Sequence, residues 1–161
     1  MRSFGLFVVA VLTAVLFAYP ATASAASVQA TINGGGTAIM DPSKSDFGLA
    51  GTTSFGIHAT LYEGGTAKGH INCVDQAGST FPGNIFGEVT GWEGSLDGGP
   101  ITLNVVGKLV NFPGGHPVDV EFTVTIQQFG GAGVGHWTLS IGGFTFCVET
   151  LLSGQIVMRR P

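Results

Sequence analysis

From Val118 to Phe129 the residues alternate one by one: Val118, Val120, Phe122, Val124 and Ile126 fall on one face, and Asp119, Glu121, Thr123, Thr125 and Gln127 on the other. A period of two belongs to a β-strand with one dry side and one wet side, because successive side chains of an extended chain point to opposite faces. A slip of one residue would bury two carboxylates, so this segment fixes which face of its sheet is core and obliges its neighbours to match. Beyond the N-terminus no stretch holds an amphipathic 3.6-residue period for more than a turn or two, and glycine clusters separate the apolar runs. The chain is therefore predicted to be all-β.

Met1-Arg2-Ser3 is a short basic start and Phe4 to Phe17 an apolar run of fourteen residues. That is shorter than the roughly 18 or more residues a membrane span needs. With small residues at Ala21-Thr22-Ala23 and Ala23-Ser24-Ala25, it reads as a secretory signal peptide over residues 1–25, leaving a single domain over 26–161. No second apolar stretch reaches spanning length, so no membrane span is expected once the leader is cut. The predicted location is secreted, periplasmic or on the cell surface.

An exported chain changes how its charges and cysteines are read. After the cut, Lys44, Lys68, Lys108, Arg159 and Arg160 stand against all ten carboxylates, a net acidic balance that speaks against a nucleic-acid partner. Two cysteines, Cys73 and Cys147, are an even count in an oxidising compartment and predict one disulfide. Closing a loop of that size contributes about 4 kcal/mol on the chain-entropy model.

The hairpin around Glu63-Gly64-Gly65 can be placed in register. Phe55, Ile57, Ala59 and Leu61 share a face on one arm, and Ala67, Gly69 and Ile71 on the other, so the loop between them must have odd length. With a three-residue loop, Thr60 faces Lys68 and His58 faces His70 on the outer side. These two imidazoles are the candidate metal ligands, although no third ligand is evident. Asp41 and Asp46 lack the spacing of a calcium loop and read as a solvated turn.

Further on, Ile85, Gly87, Val89 and Gly91 alternate with Phe86, Glu88, Thr90 and Trp92. With the aliphatic set inward, Phe86, Glu88 and Trp92 lie together outside, an aromatic and acidic group suited to stacking on a sugar or on another protein unless a neighbouring element covers it. Gly142-Gly143 predicts a tight hairpin pairing Ile141 with Phe144, Leu139 with Phe146 and Trp137 with Val148. In that register His136 faces Glu149 on the outer side and Cys147 points out. Cys73 would then alternate with Ile71 toward the inside. Either a bulge rephases its strand or the strand ends near Asn72 and Cys73 belongs to a loop, and the second is preferred. Ser27 to Ile32 and Thr37 to Met40 read as a short opening hairpin about Gly34-Gly35-Gly36, and Leu152, Ile156 and Met158 as one face of the last strand.

Turns recur every 14 to 19 residues. Long sequential strands predict an antiparallel meander of about eight to ten, closed as an up-and-down barrel or folded as a strongly curved sandwich. There is no Gly-x-Ser-x-Gly, His-Glu-x-x-His, phosphate loop or Cys-x-x-Cys. No catalytic residue and no cofactor are predicted.

Gly34-Gly35-Gly36-Thr37-Ala38, Phe47-Gly48, Phe55-Gly56, Lys68-Gly69-His70-Ile71-Asn72, Phe86-Gly87-Glu88-Val89 and Phe146-Cys147-Val148-Glu149 with Ser153-Gly154-Gln155-Ile156 together resemble a loose family of small secreted bacterial all-β domains. The likeness covers about residues 33 to 159. It implies export and an all-β domain, and it carries no catalytic residue onto this chain. Two functions follow as expectations. One is a non-enzymatic, secreted or envelope-associated domain that binds an extracellular glycan or protein through its outer face or loops. The other is a barrel that carries or isomerises a small apolar ligand, as lipocalin-like and allene-oxide-cyclase-like barrels do.

Overall fold

A computed structural model describes residues 26–76, 78–111 and 114–161; the leader predicted at 1–25 lies outside them. Nine strands follow in order: β1 (Val28–Met40), β2 (Thr52–Tyr62), β3 (Thr66–Asp75), β4 (Gly83–Gly94), β5 (Ile101–Asn111), β6 (Val118–Gln128), β7 (Gly130–Gly131), β8 (His136–Ile141) and β9 (Phe144–Arg159). Each long strand pairs antiparallel with the next, and β9 returns to pair with β1 along Thr31↔Arg159 to Met40↔Glu149. The wall is thus a closed eight-stranded barrel. The short β7 continues it beside the second half of β9, where β8 does not reach.

Closure follows from the alternation. Phe122, Val124 and Ile126 of β6 are buried as read from the sequence, and Leu103 and Val105 of β5 and Leu139 of β8 face the same interior. Every long strand is bonded on both sides over most of its length, which removes most open edge; the start of β6, residues 118–121, lies beyond its pairing with β8. Among the described residues no helix is long and apolar enough to cross a membrane.

The β2–β3 hairpin keeps the predicted register throughout, with Thr60↔Lys68 and His58↔His70. The hairpin at Gly142-Gly143 also forms, both glycines holding the positive φ (59° and 86°) that a two-residue turn of this hand requires. The glycine triplet does not turn the chain. Gly34, Gly35 and Gly36 lie inside one continuous strand, β1, where Gly36 pairs with Gly154 and a Cβ on Gly36 would run into the Ser153 carbonyl. Close approach of two backbones, not a reversal, is what those glycines permit.

Three bulges correct the rest of the phasing. In β9 the pair Ser140↔Thr145 is followed by Leu139↔Cys147, so Phe146 is an extra residue; further along, Thr37↔Ser153 and Ala38↔Leu151 leave Leu152 extra. Between those two points the strand is turned over relative to its ends. Cys147, Glu149 and Leu151 therefore face the interior, while Leu152 is exposed and Ile156 and Met158 return to the inner face. In β4 the extra residue is Thr90, between Val89↔Val105 and Gly91↔Asn104. Cys73 is an inward residue of β3, not of a loop, and needs no bulge of its own.

The predicted disulfide is not present. Cys73 and Cys147 are both buried free thiols. They sit on β3 and β9, with β1 and β2 between them in the wall, and Cys147 Sγ donates instead to Glu149 Oε1 at 3.1 Å. A thiol committed to a buried carboxyl group satisfies a polar atom that a disulfide would leave without its donor.

Candidate functional site

Two groupings of polar side chains stand out, one inside the barrel and one on its outer wall. Inside, the Phe146 bulge pairs Glu149 with Trp137 and Met40, two buried neighbours, and leaves the Glu149 side chain 0 % exposed. Its carboxyl group is satisfied by the Thr53 hydroxyl on one oxygen and the Cys147 thiol on the other. Burial raises its pKa to about 7, although both hydrogen bonds pull the other way. Asp75, across from Thr53 on the same inner face, is likewise raised to about 7, first by burial and then by the charge of Glu149. Burial pushes both thiols well above 9, with Glu149 adding to the effect.

The bulge that creates this cluster is held from a distant part of the chain. Ser45 Oγ donates to the Phe146 carbonyl at 2.6 Å, Asp46 N–H to the Thr145 carbonyl at 2.9 Å, and Thr145 N–H to Asp46 Oδ2 at 2.7 Å. Asp46 is thereby occupied as a clamp, and Asp41 caps its own turn through Ser43 at 3.1 Å, in keeping with the turn read there. The void beside the cluster, lined by Cys73, Asp75, Asn84 and Cys147 among others, measures about 10 Å³. That is room for about one water molecule and far below the several hundred Å³ of a small-molecule pocket. Two acids and two thiols thus border a space of about one water molecule.

His136 does not meet Glu149. The same bulge pairs it with Thr150, whose Oγ1 lies 3.2 Å from His136 Nδ1, while burial and nearby Lys44 lower the imidazole pKa.

Outside, β3 and β4 bring His70 against Glu88, Asn72 against Phe86 and Val74 against Asn84. Phe86 is half-buried and is not among the side chains packed on the core, so its ring belongs to the outer face. Around it runs an open groove of about 330 Å³ lined by His70, Asn72, Asn84, Phe86 and Glu88. Asn84, which also borders the interior void, has its Oδ1 buried without a hydrogen-bond partner. Lys108 of β5 sits across from Phe86 and is engaged by Asp119 at 2.5 Å.

Trp92 does not join this face. The Thr90 bulge turns it to oppose Leu103, where it packs against the core and its indole N–H donates to the Tyr62 carbonyl at 2.8 Å. The structure thus keeps Phe86 and Glu88 together and separates Trp92 from them. It adds Asn72 and Asn84, which alternation alone could have placed on the same side. His58 and His70 are exposed neighbours, as read from the hairpin, with ring centroids 5.8 Å apart.

Comparison with protein-family models, with curated proteins and with solved structures returns no match to this chain.

Proposed function

We propose that this chain is a secreted or envelope-associated, non-enzymatic binding domain whose ligand contacts lie on the outer wall around Phe86. The observation that carries this reading is the groove itself: an aromatic ring on the outer face, flanked by two amides, an imidazole and a carboxylate. Aromatic faces stack on the apolar faces of sugars and on other rings, while amides and carboxylates bond hydroxyl groups, so an extracellular glycan is the ligand class this set fits best. The filled interior supports the same reading by leaving the outer wall and the loops as the surfaces open to a ligand. A carrier or isomerase of small apolar molecules would need interior room that a void of about 10 Å³ does not provide.

A glycan array probed with the mature chain, followed by calorimetry on the strongest binder, tests the site. Phe86→Ala should weaken binding about tenfold, the equivalent of one lost stacking contact, with the melting temperature little changed. Equal affinity in the variant would remove the groove from consideration. The export half of the proposal rests on the leader-like N-terminus. Expression of the full chain in a bacterial host should yield a product outside the cytoplasm whose mass begins near residue 26. An uncut chain retained in the cytoplasm would contradict it.

A further inference from the structure

The outer wall carries a second arrangement, which shares only His70 with the groove. His58 of β2 and His70 of β3 stand directly across from one another, both exposed, on a hairpin whose register is fixed by a three-residue turn. Their ring centroids are 5.8 Å apart. Zinc binds imidazole nitrogen at about 2.0–2.1 Å, so a ring centroid lies roughly 3 Å from a bound ion, and two rings sharing that ion are about 5–6 Å apart. The observed spacing falls in that range before any side chain moves.

A second observation concerns His58 alone. Asn33, its cross-strand neighbour on β1, places Oδ1 2.7 Å from His58 Nδ1. An amide oxygen only accepts, so in this contact Nδ1–H is the donor, and Nε2 is the nitrogen a metal would take. Holding one ring nitrogen through an oxygen of a neighbouring residue, so that the other can ligate, is the usual support of a metal-bound histidine. Glu88, across from His70 on the opposite flank, adds a carboxylate beside the pair.

We propose that His58 and His70 form a surface site for a divalent transition metal that favours imidazole, of the zinc, nickel or copper class, with Asn33 positioning His58. Among the described residues no three His, Cys, Asp or Glu side chains are disposed to hold one ion together. The remaining coordination positions therefore belong to water, and the site is an open one. It rests on the imidazole pair and not on the ligand assigned to the Phe86 groove.

Calorimetric titration of the mature chain with zinc chloride decides the matter. Saturable uptake of one ion per chain is expected, weakened at least tenfold in His70→Ala and in His58→Ala. Asn33→Ala should lose several-fold, while His136→Ala, on β8 away from the pair, should bind as the parent does. Nickel at sub-stoichiometric levels should selectively broaden the ring resonances of His58 and His70, leaving those of His116 and His136 sharp. Absence of saturable zinc uptake would overturn the proposal, as would uptake that persists in the folded His58→Ala, His70→Ala double variant.

Discussion

At the scale of single residues, Glu149 is the acid whose burial ties stability to pH most plainly, because it is 0 % exposed. It faces Thr53 from β2, Cys73 and Asp75 from β3, Trp137 from β8 and Cys147 from its own strand, with no cation among them. Burial raises its pKa from 4.5 to about 7. Below pH 4.5 the folded and unfolded chains both hold this proton, and the residue's full contribution to stability is present. As the pH climbs, the unfolded chain releases the proton first, so stability falls across the interval up to about 7 and then levels off. The difference is on the order of 3 kcal/mol. Glu149→Gln keeps the shape and removes the titration. The variant should match the parent's melting temperature near pH 5 to within the effect of about 1 kcal/mol and melt several degrees above it at pH 8. Parallel pH profiles for the two chains would show that this carboxyl group is not buried in the folded protein.

At the scale of elements, what the sequence discloses and what it hides divide along a physical line. The β2–β3 hairpin was legible residue by residue, because a short loop and two alternating arms determine a register locally. The strands β5 and β6 were legible from their alternation, apart from Val118, which is exposed at the start of β6. The interior acid was not, since alternation has no memory of an inserted residue. One extra residue at Phe146 and another at Leu152 turn the five residues between them over, so Glu149 passes from the outer face to the core while both ends of β9 obey the simple pattern. The bonds that hold the Phe146 bulge come from Ser45 and Asp46, about a hundred residues earlier, and no local reading could connect them. Trp92 moved for the same kind of reason at Thr90. Its new position is supported by a bond to Tyr62 on another strand. Cys147 was expected to point out and to pair with Cys73; its place inside, bonded to Glu149, follows from the same rephasing.

At the scale of the whole molecule, the defining property is that the wall closes around a buried apolar core. Pairing of β1 with β9 joins the first strand to the last, and β6 and β8 are joined through the turn that carries β7. The apolar side chains then have a common dry interior, each large one contributing about 1.5–3 kcal/mol by leaving water. Amide hydrogen exchange followed residue by residue in the native protein tests this most directly. In a closed barrel the paired amides of β1 and β9, such as those of Ile32, Ala38 and Met158, should exchange as slowly as their counterparts in β4 and β5, through global unfolding. Exchange of the β1 and β9 amides within minutes while β4 and β5 stay protected would mean that the first and last strands are free edges, and the closed barrel would have to be abandoned.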